Sequence, residues 1–128
     1  MSEFDLAKAS PNAVYMDYCQ KDQLAFQRAP SGQTVFYPRI SEPGTGEQLS
    51  WEISQGLGTV YSKTVIYLRD EKPYNVALID LDEGYRMMSR VDGLDPEQVQ
   101  IGMRVQVQML PFDDGKKYPI FFPINEVV

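Results

Sequence analysis

Few side chains in this sequence could do chemistry. Asp80, Asp82 and Glu83 crowd into one short segment, Cys19 is the single thiol, and histidine is absent from all 128 residues. Three carboxylates at that spacing could hold a divalent cation or act as acid and base. Without imidazole, the usual neutral-pH general base and the commonest metal ligand are both missing. Ser-His-Asp, Cys-His and zinc-hydrolase chemistries are therefore excluded. The plainer reading of the acidic group is a hairpin turn with solvated carboxylates. For Cys19 it is a small hydrophobe packed in a helix. Met87 and Met88 could line an apolar pocket, although on a strand they face opposite ways and Met87 reads as core. No complete catalytic set emerges.

Composition bounds the rest. A chain of 128 residues, 43% hydrophobic and 23% charged, suits one globular domain. A formal charge of −6 opposes binding to a phosphate backbone, so no nucleic-acid partner is expected. No apolar run is long enough to span a bilayer, and MSEFDLAKAS lacks the basic start and apolar segment of a secretion signal. The expectation is a cytoplasmic protein without membrane contact, and one cysteine permits no internal disulfide.

Elements that would position these groups follow from period and punctuation. Ser10 and Pro11 form a helix start, and Val14, Tyr15, Tyr18 and Cys19 share one face of a helix over about 11–21. From Leu49 onward the period changes to two. Residues 59–68, 74–82, 85–91, 103–109 and 118–124 read as strands, with a bend or bulge at 56–58 and turns at Asp82–Gly84 and Asp113–Gly115. Between the third and fourth strands, Asp95, Pro96 and Gln98 cap a helix of about one and a half turns that ends at Gly102. This order predicts a mainly β fold, a five-stranded Greek-key barrel of the OB type. We divide the chain into an N-terminal helical segment (1–25), a loop-rich hairpin (26–48) and the barrel (49–128).

The motifs FQR (26–28), YPR (37–39), LSW (49–51), GLGTVYSKTV (56–65), PYNVALIDLDEGYRMMSRV (73–91) and IGMRVQV (101–107) occur in an informative order. Together they resemble the acyl-CoA-associated OB-fold family, formerly a domain of unknown function, over about residues 13–124. That resemblance implies a rubredoxin-like zinc ribbon with two CxxC knuckles between the FQR and tryptophan strands. Here the first knuckle reads Ala29, Pro30, Ser31, Gly32, and SEPGTG at the second has no thiol. Structural zinc needs about four soft ligands, so a degenerate, metal-free ribbon hairpin is expected. Packing of Phe36, Tyr37 and Ile40 on the barrel or on a partner would replace the metal. Pro30, Pro38 and Pro43 would add about 0.4–1 kcal/mol each where the geometry fits.

The resemblance further implies a noncatalytic accessory subunit that shapes or shields the acyl-CoA site of a thiolase-like or acyl-CoA hydratase-like partner in a hetero-complex. Coenzyme A carries phosphates and a flat adenine, which call for cations beside aromatic faces. Tyr37, Arg39, Trp51, Tyr61 and Lys63 are the candidates for contacting coenzyme A or the partner, with Arg86 and Arg90 as weaker ones. Trp51 as core and Arg39 as an ion-pair residue is the bland alternative. A stand-alone acyl-CoA-binding module and a single-stranded nucleic-acid-binding OB protein are the competing functions, the last opposed by the charge.

Overall fold

The chain's architecture was obtained as a computed structural model that describes residues 10–37 and 49–124. Helix α1 (Pro11–Gln20) starts where Ser10 accepts a hydrogen bond from the Ala13 N–H at 3.2 Å, with proline in its first turn. Three short strands follow: β1 (Ala25–Arg28), β2 (Thr34–Val35) and β3 (Ser50–Ile53). They form an antiparallel sheet in the order β2-β1-β3.

The longer strands are β4 (Leu57–Ile66), β5 (Tyr74–Leu81), β6 (Arg86–Ser89), β7 (Arg104–Pro111) and β8 (Lys117–Pro123). They form the five-stranded OB sheet in the order β6-β5-β4-β7-β8. A parallel bridge between Val91 and Phe121 joins the two ends of the curled sheet. Along β5 the alternation is regular, with Asn75, Ala77, Ile79 and Leu81 inside and the residues between them partly or wholly exposed. Gly58 is required where β4 crosses β5, because a Cβ there would lie 2.8 Å from the Asp80 carbonyl oxygen. Two residues on, the register slips between Val60 and Ser62, so Tyr61 occupies a β-bulge.

Two details depart from the expectations of the sequence. Ser50–Ile53 pairs with β1 rather than with the barrel strands, so the OB sheet begins at Leu57. The expected helix after β6 shrinks to a single 3-10 turn, Pro96–Gln98, because Val99 is already extended. Pro38, Arg39, Ile40, Pro43 and the second knuckle lie outside the described residues. As expected, proline sits on an edge. Pro119 has no N–H to leave unpaired, its carbonyl accepts from the Ser89 hydroxyl at 2.9 Å, and the Lys117 N–H donates to Gln20 at 2.6 Å.

Burial explains why the appendage does not hang free. Leu24 and Phe26 enter the same buried cluster as Val60, Ile79, Met87, Val105 and Phe121. Phe26 stacks on Tyr85 at 4.8 Å, and Phe36 stacks on Tyr85 at 5.1 Å with rings 3° from parallel. Tyr15 meets Phe36 edge-on at 5.5 Å. An aromatic column thus fastens helix, hairpin and barrel together, each pair adding about 0.5–1.5 kcal/mol beyond its buried area. The connection 54–56 is held as well. Glu83 accepts from the Ser54 hydroxyl and the Gln55 N–H, both at 2.8 Å.

Candidate functional site

The acidic cluster was the first candidate for chemistry, and each member is already engaged. Asp80 takes Arg86 through two contacts of 2.5 and 3.2 Å. Asp82 takes Arg104 through two contacts of 2.7 Å, which hold its carboxyl below the usual carboxylate range. Glu83 clamps the connection described above. All three carboxylates are thus partnered within the chain, Asp80 on β5 and Asp82 and Glu83 in the turn after it. Cys19 has no exposed surface, and burial pushes its thiol pKa up. A protonated thiol sealed in the core is not a nucleophile.

What remains is a concave apolar surface of about 480 Å³ between α1, the end of β2, the β6 edge and β8. Tyr15 and Met16 come from successive positions of α1, Phe36 and Tyr37 from the hairpin, Met88 from β6 and Ile120 from β8. Strand alternation makes this possible, since Met87 is 2% exposed and its neighbour Met88 60%. Tyr37, also at this groove, is 58% exposed and leans on Phe36 at 5.3 Å. Among the described residues no aspartate or glutamate lines the groove, although the chain carries a charge of −6. Three of its polar side chains are engaged: Asn75 binds the Val91 backbone, Ser89 the Pro119 carbonyl, and Arg90 reaches Asp92 at 2.9 Å.

The other residues singled out in the sequence are placed as follows. Tyr61 projects from the bulge, half exposed, with the Arg86 guanidinium 3.5 Å above its ring. Asp80, Arg86 and Tyr61 therefore form one stacked set on the outer face of the barrel. Lys63 donates to the carbonyls of Glu97 at 3.1 Å and Pro96 at 3.4 Å, closing the 3-10 turn. Trp51 lies on β3 against Tyr18 at 5.8 Å, partly buried. Tyr37 is the member of the set that reaches the groove, and Arg39 falls outside the described residues. Sequence reasoning missed Tyr85 and Arg28. Tyr85 follows a turn glycine and looks like any strand aromatic. Arg28 closes the FQR motif but carries no sign of its partners.

The first knuckle was tested for zinc by its donor set. Ala29, Pro30, Ser31 and Gly32 supply neither thiolate nor imidazole, and Cys19 is enclosed in α1. Among the described residues no three Cys, Asp or Glu side chains converge as metal ligands would. These residues do not fit zinc.

Comparison with known proteins adds the family context. A family model described as the ChsH2 C-terminal OB-fold domain matches residues 51–110. The "Probable enoyl-CoA hydratase alpha subunit" of Thermomonospora curvata is 30% identical over 118 residues, 88% of this chain and 37% of that protein. The 3-oxo-4,17-pregnadiene-20-carboxyl-CoA hydratase alpha subunit of Mycobacterium tuberculosis is 30% identical over 112 residues, 83% and 36% respectively. The chain thus spans little more than a third of either. A DUF35 domain-containing scaffold protein of Methanothermobacter thermautotrophicus is 31% identical over 78 residues, 57% of this chain and 56% of that one. Among solved structures, a chain of the Ltp2-ChsH2(DUF35) aldolase superposes with a TM-score of 0.81 at 29% identity, covering 93% of this chain and 98% of that one.

Proposed function

The chain belongs to the acyl-CoA-associated OB-fold family of DUF35 proteins, and from that premise we propose that it is a noncatalytic accessory subunit of an acyl-CoA-processing enzyme. The observation that carries this reading is the superposition over 98% of a chain of the Ltp2-ChsH2(DUF35) aldolase. The chemistry agrees, because the acidic cluster is paired off and the one thiol is buried. In this reading the partner is a thiolase-like or acyl-CoA hydratase-like protein that brings the reacting groups. This chain brings surface, with the groove and its Tyr37 rim shaping or shielding the acyl-CoA site. Tyr37, Arg39, Trp51, Tyr61 and Lys63 are its candidate contacts with coenzyme A or with the partner. The hairpin is held without zinc.

Coexpression with a thiolase-like protein encoded beside it, followed by turnover assays of each polypeptide alone and of the mixture, tests the reading. A stable complex, with no acyl-CoA turnover by this chain alone, is expected. Turnover of a coenzyme A thioester by this chain in isolation would overturn it. A second reading, a stand-alone acyl-CoA-binding module, draws on the apolar groove. It predicts that acyl-CoA shifts the methyl resonances of Met16 and Met88, which line the groove, without any partner present. Nucleic acid gains no support, since the chain's charge of −6 opposes a phosphate backbone.

A further inference from the structure

The loop that lacks metal ligands is nonetheless ordered as a tight turn. The Ala29 N–H donates to the Gln33 carbonyl at 2.9 Å, and the Gly32 N–H to the Ala29 carbonyl at 2.8 Å. Gly32 adopts φ +93, open to glycine at no steric cost. One side chain ties this turn to the rest of the sheet. Arg28 donates through Nη1 to the Gly32 carbonyl at 2.8 Å and through Nε to Glu52 on β3 at 2.7 Å. Its guanidinium also lies 5.4 Å from the centre of the Phe26 ring, the ring that stacks on Tyr85. The Ser50 hydroxyl donates to the Arg28 carbonyl at 3.2 Å, fastening the same strand pair from its backbone.

We propose that Arg28 is a built-in substitute for a ribbon metal: a fixed cation that clasps the 29–32 turn to β3 and so positions the Phe36–Tyr37 wall of the groove without any bound ion. A guanidinium suits the task because its planar fork presents several donors in fixed directions and stays charged at every working pH. One arm can therefore hold a carbonyl while another holds a carboxylate. The clasp is weaker than four metal–ligand bonds. It fixes direction, while the stacked rings of Phe26, Tyr85 and Phe36 supply the burial that keeps the hairpin seated. The inference concerns this chain by itself and stands apart from its reading as a subunit.

The whole chain, purified without chelator, is analysed for metal by plasma mass spectrometry with and without added zinc. Amide exchange at Ala29 and Gly32 is then followed with and without EDTA. Less than a tenth of an equivalent of metal and EDTA-insensitive exchange are expected, the threshold being about the level of adventitious binding. Arg28→Met should speed exchange at Ala29 and Gly32 about fivefold and leave β4 and β5 amides unchanged, as loss of a partly exposed charge-assisted bond predicts. It should also move the methyl resonances of Met16 and Met88, which line the groove. Arg28→Lys should restore only part of the protection, since a point charge cannot span both acceptors. If Arg28→Met does not fold, Glu52→Gln removes one acceptor charge at constant shape and should give a smaller acceleration in the same direction. A stoichiometric, EDTA-removable metal that protects these amides would overturn the proposal. So would unchanged exchange in both Arg28→Met and Glu52→Gln.

Discussion

Asn75 holds both backbone groups of Val91 with a single carboxamide, donating to its carbonyl at 2.7 Å and accepting from its N–H at 2.8 Å. Val91 is the residue that bridges to Phe121, so this side chain sits where the curled sheet meets itself. Asn75 is 2% exposed, and truncating it would strand two buried backbone groups. Asn75→Ala should cost about 2–4 kcal/mol in urea unfolding, the sum of two unsatisfied groups. Asn75→Asp should also destabilise, because it replaces the donor that faces the Val91 carbonyl with an acceptor. A loss below about 0.5 kcal/mol in Asn75→Ala would mean the closure does not depend on this clamp.

Tyr85 presents the opposite case, a buried polar atom with nothing to gain. Its hydroxyl has no hydrogen-bond partner among the described residues, while the Ser54 hydroxyl nearby is committed to Glu83 and the Gly56 N–H. Its ring, in contrast, is stacked on both faces by Phe26 and Phe36. Tyr85→Phe keeps the rings and removes the stranded oxygen, so stability should be unchanged or rise by up to about 1 kcal/mol. Thermal unfolding of the variant measures this, and a clear loss would show that the hydroxyl is satisfied.

Phe36→Ala should loosen the hairpin more than the barrel. Phe36 joins Tyr15, Tyr37 and Tyr85, and it is partly buried, so a loss of about 1–3 kcal/mol is expected, below the range for a fully buried phenylalanine. The single tryptophan lies in the three-stranded sheet against Tyr18, and its emission reports that sheet. Trp51 emission should therefore change at lower denaturant than far-ultraviolet dichroism, which is dominated by the barrel strands. Coincident transitions would mean that the two sheets unfold as one unit.

How much of this was legible beforehand depends on the range of the interaction. Strands β4 to β8 could be read from the two-residue period of segments such as Asn75–Leu81, because alternation is local. The turn at Asp82 and Glu83 was legible from the glycine that follows them, whereas Asp80 lies on β5. The sheet to which Ser50–Ile53 belongs was not, since four alternating residues say nothing about which strand they meet. Nor was the bulge that places Tyr61 under Arg86, or the capture of Lys63 by two carbonyls, because both arise from contacts more than fifteen residues apart. The stack of Phe36 on Tyr85 joins positions nearly fifty residues apart, and no spacing rule announces it.

The Asp80–Arg86–Tyr61 set should matter little for stability. Arg86 is exposed, and its ion pair and ring contact compete with water and salt. Arg86→Ala is expected to leave the unfolding midpoint almost unchanged at about 0.15 M salt. Reversible unfolding at low and high salt checks this, and a clear drop in the midpoint would show the stack to be part of the fold rather than of the surface.

The pH profile should carry the mark of Asp82. Arg104 grips its carboxylate through two short contacts, so its folded pKa lies below the unfolded value of about 3.9. Asp114 is lowered too, chiefly by the Tyr118 hydroxyl that donates to it at 2.6 Å. Below about pH 4 the unfolded chain binds protons that the folded chain still refuses, so stability rises with pH in that window. The contribution is present in full above the unfolded value and is lost as pH falls through the folded one. At the other extreme burial raises the pKa of Tyr15, so the neutral phenol is favoured in the folded state and stability declines as pH climbs above about 10. Urea titrations from pH 2 to 11 should therefore trace a plateau with two falling limbs. Asp82→Asn should make the acid limb shallower, with Asp114 carrying the rest, and Tyr15→Phe the alkaline one, with buried Cys19 and Tyr85 carrying the rest, each leaving the opposite limb in place. If Asp82→Asn left the acid limb as steep as before, the Arg104 contact would be too solvated to couple protonation to folding.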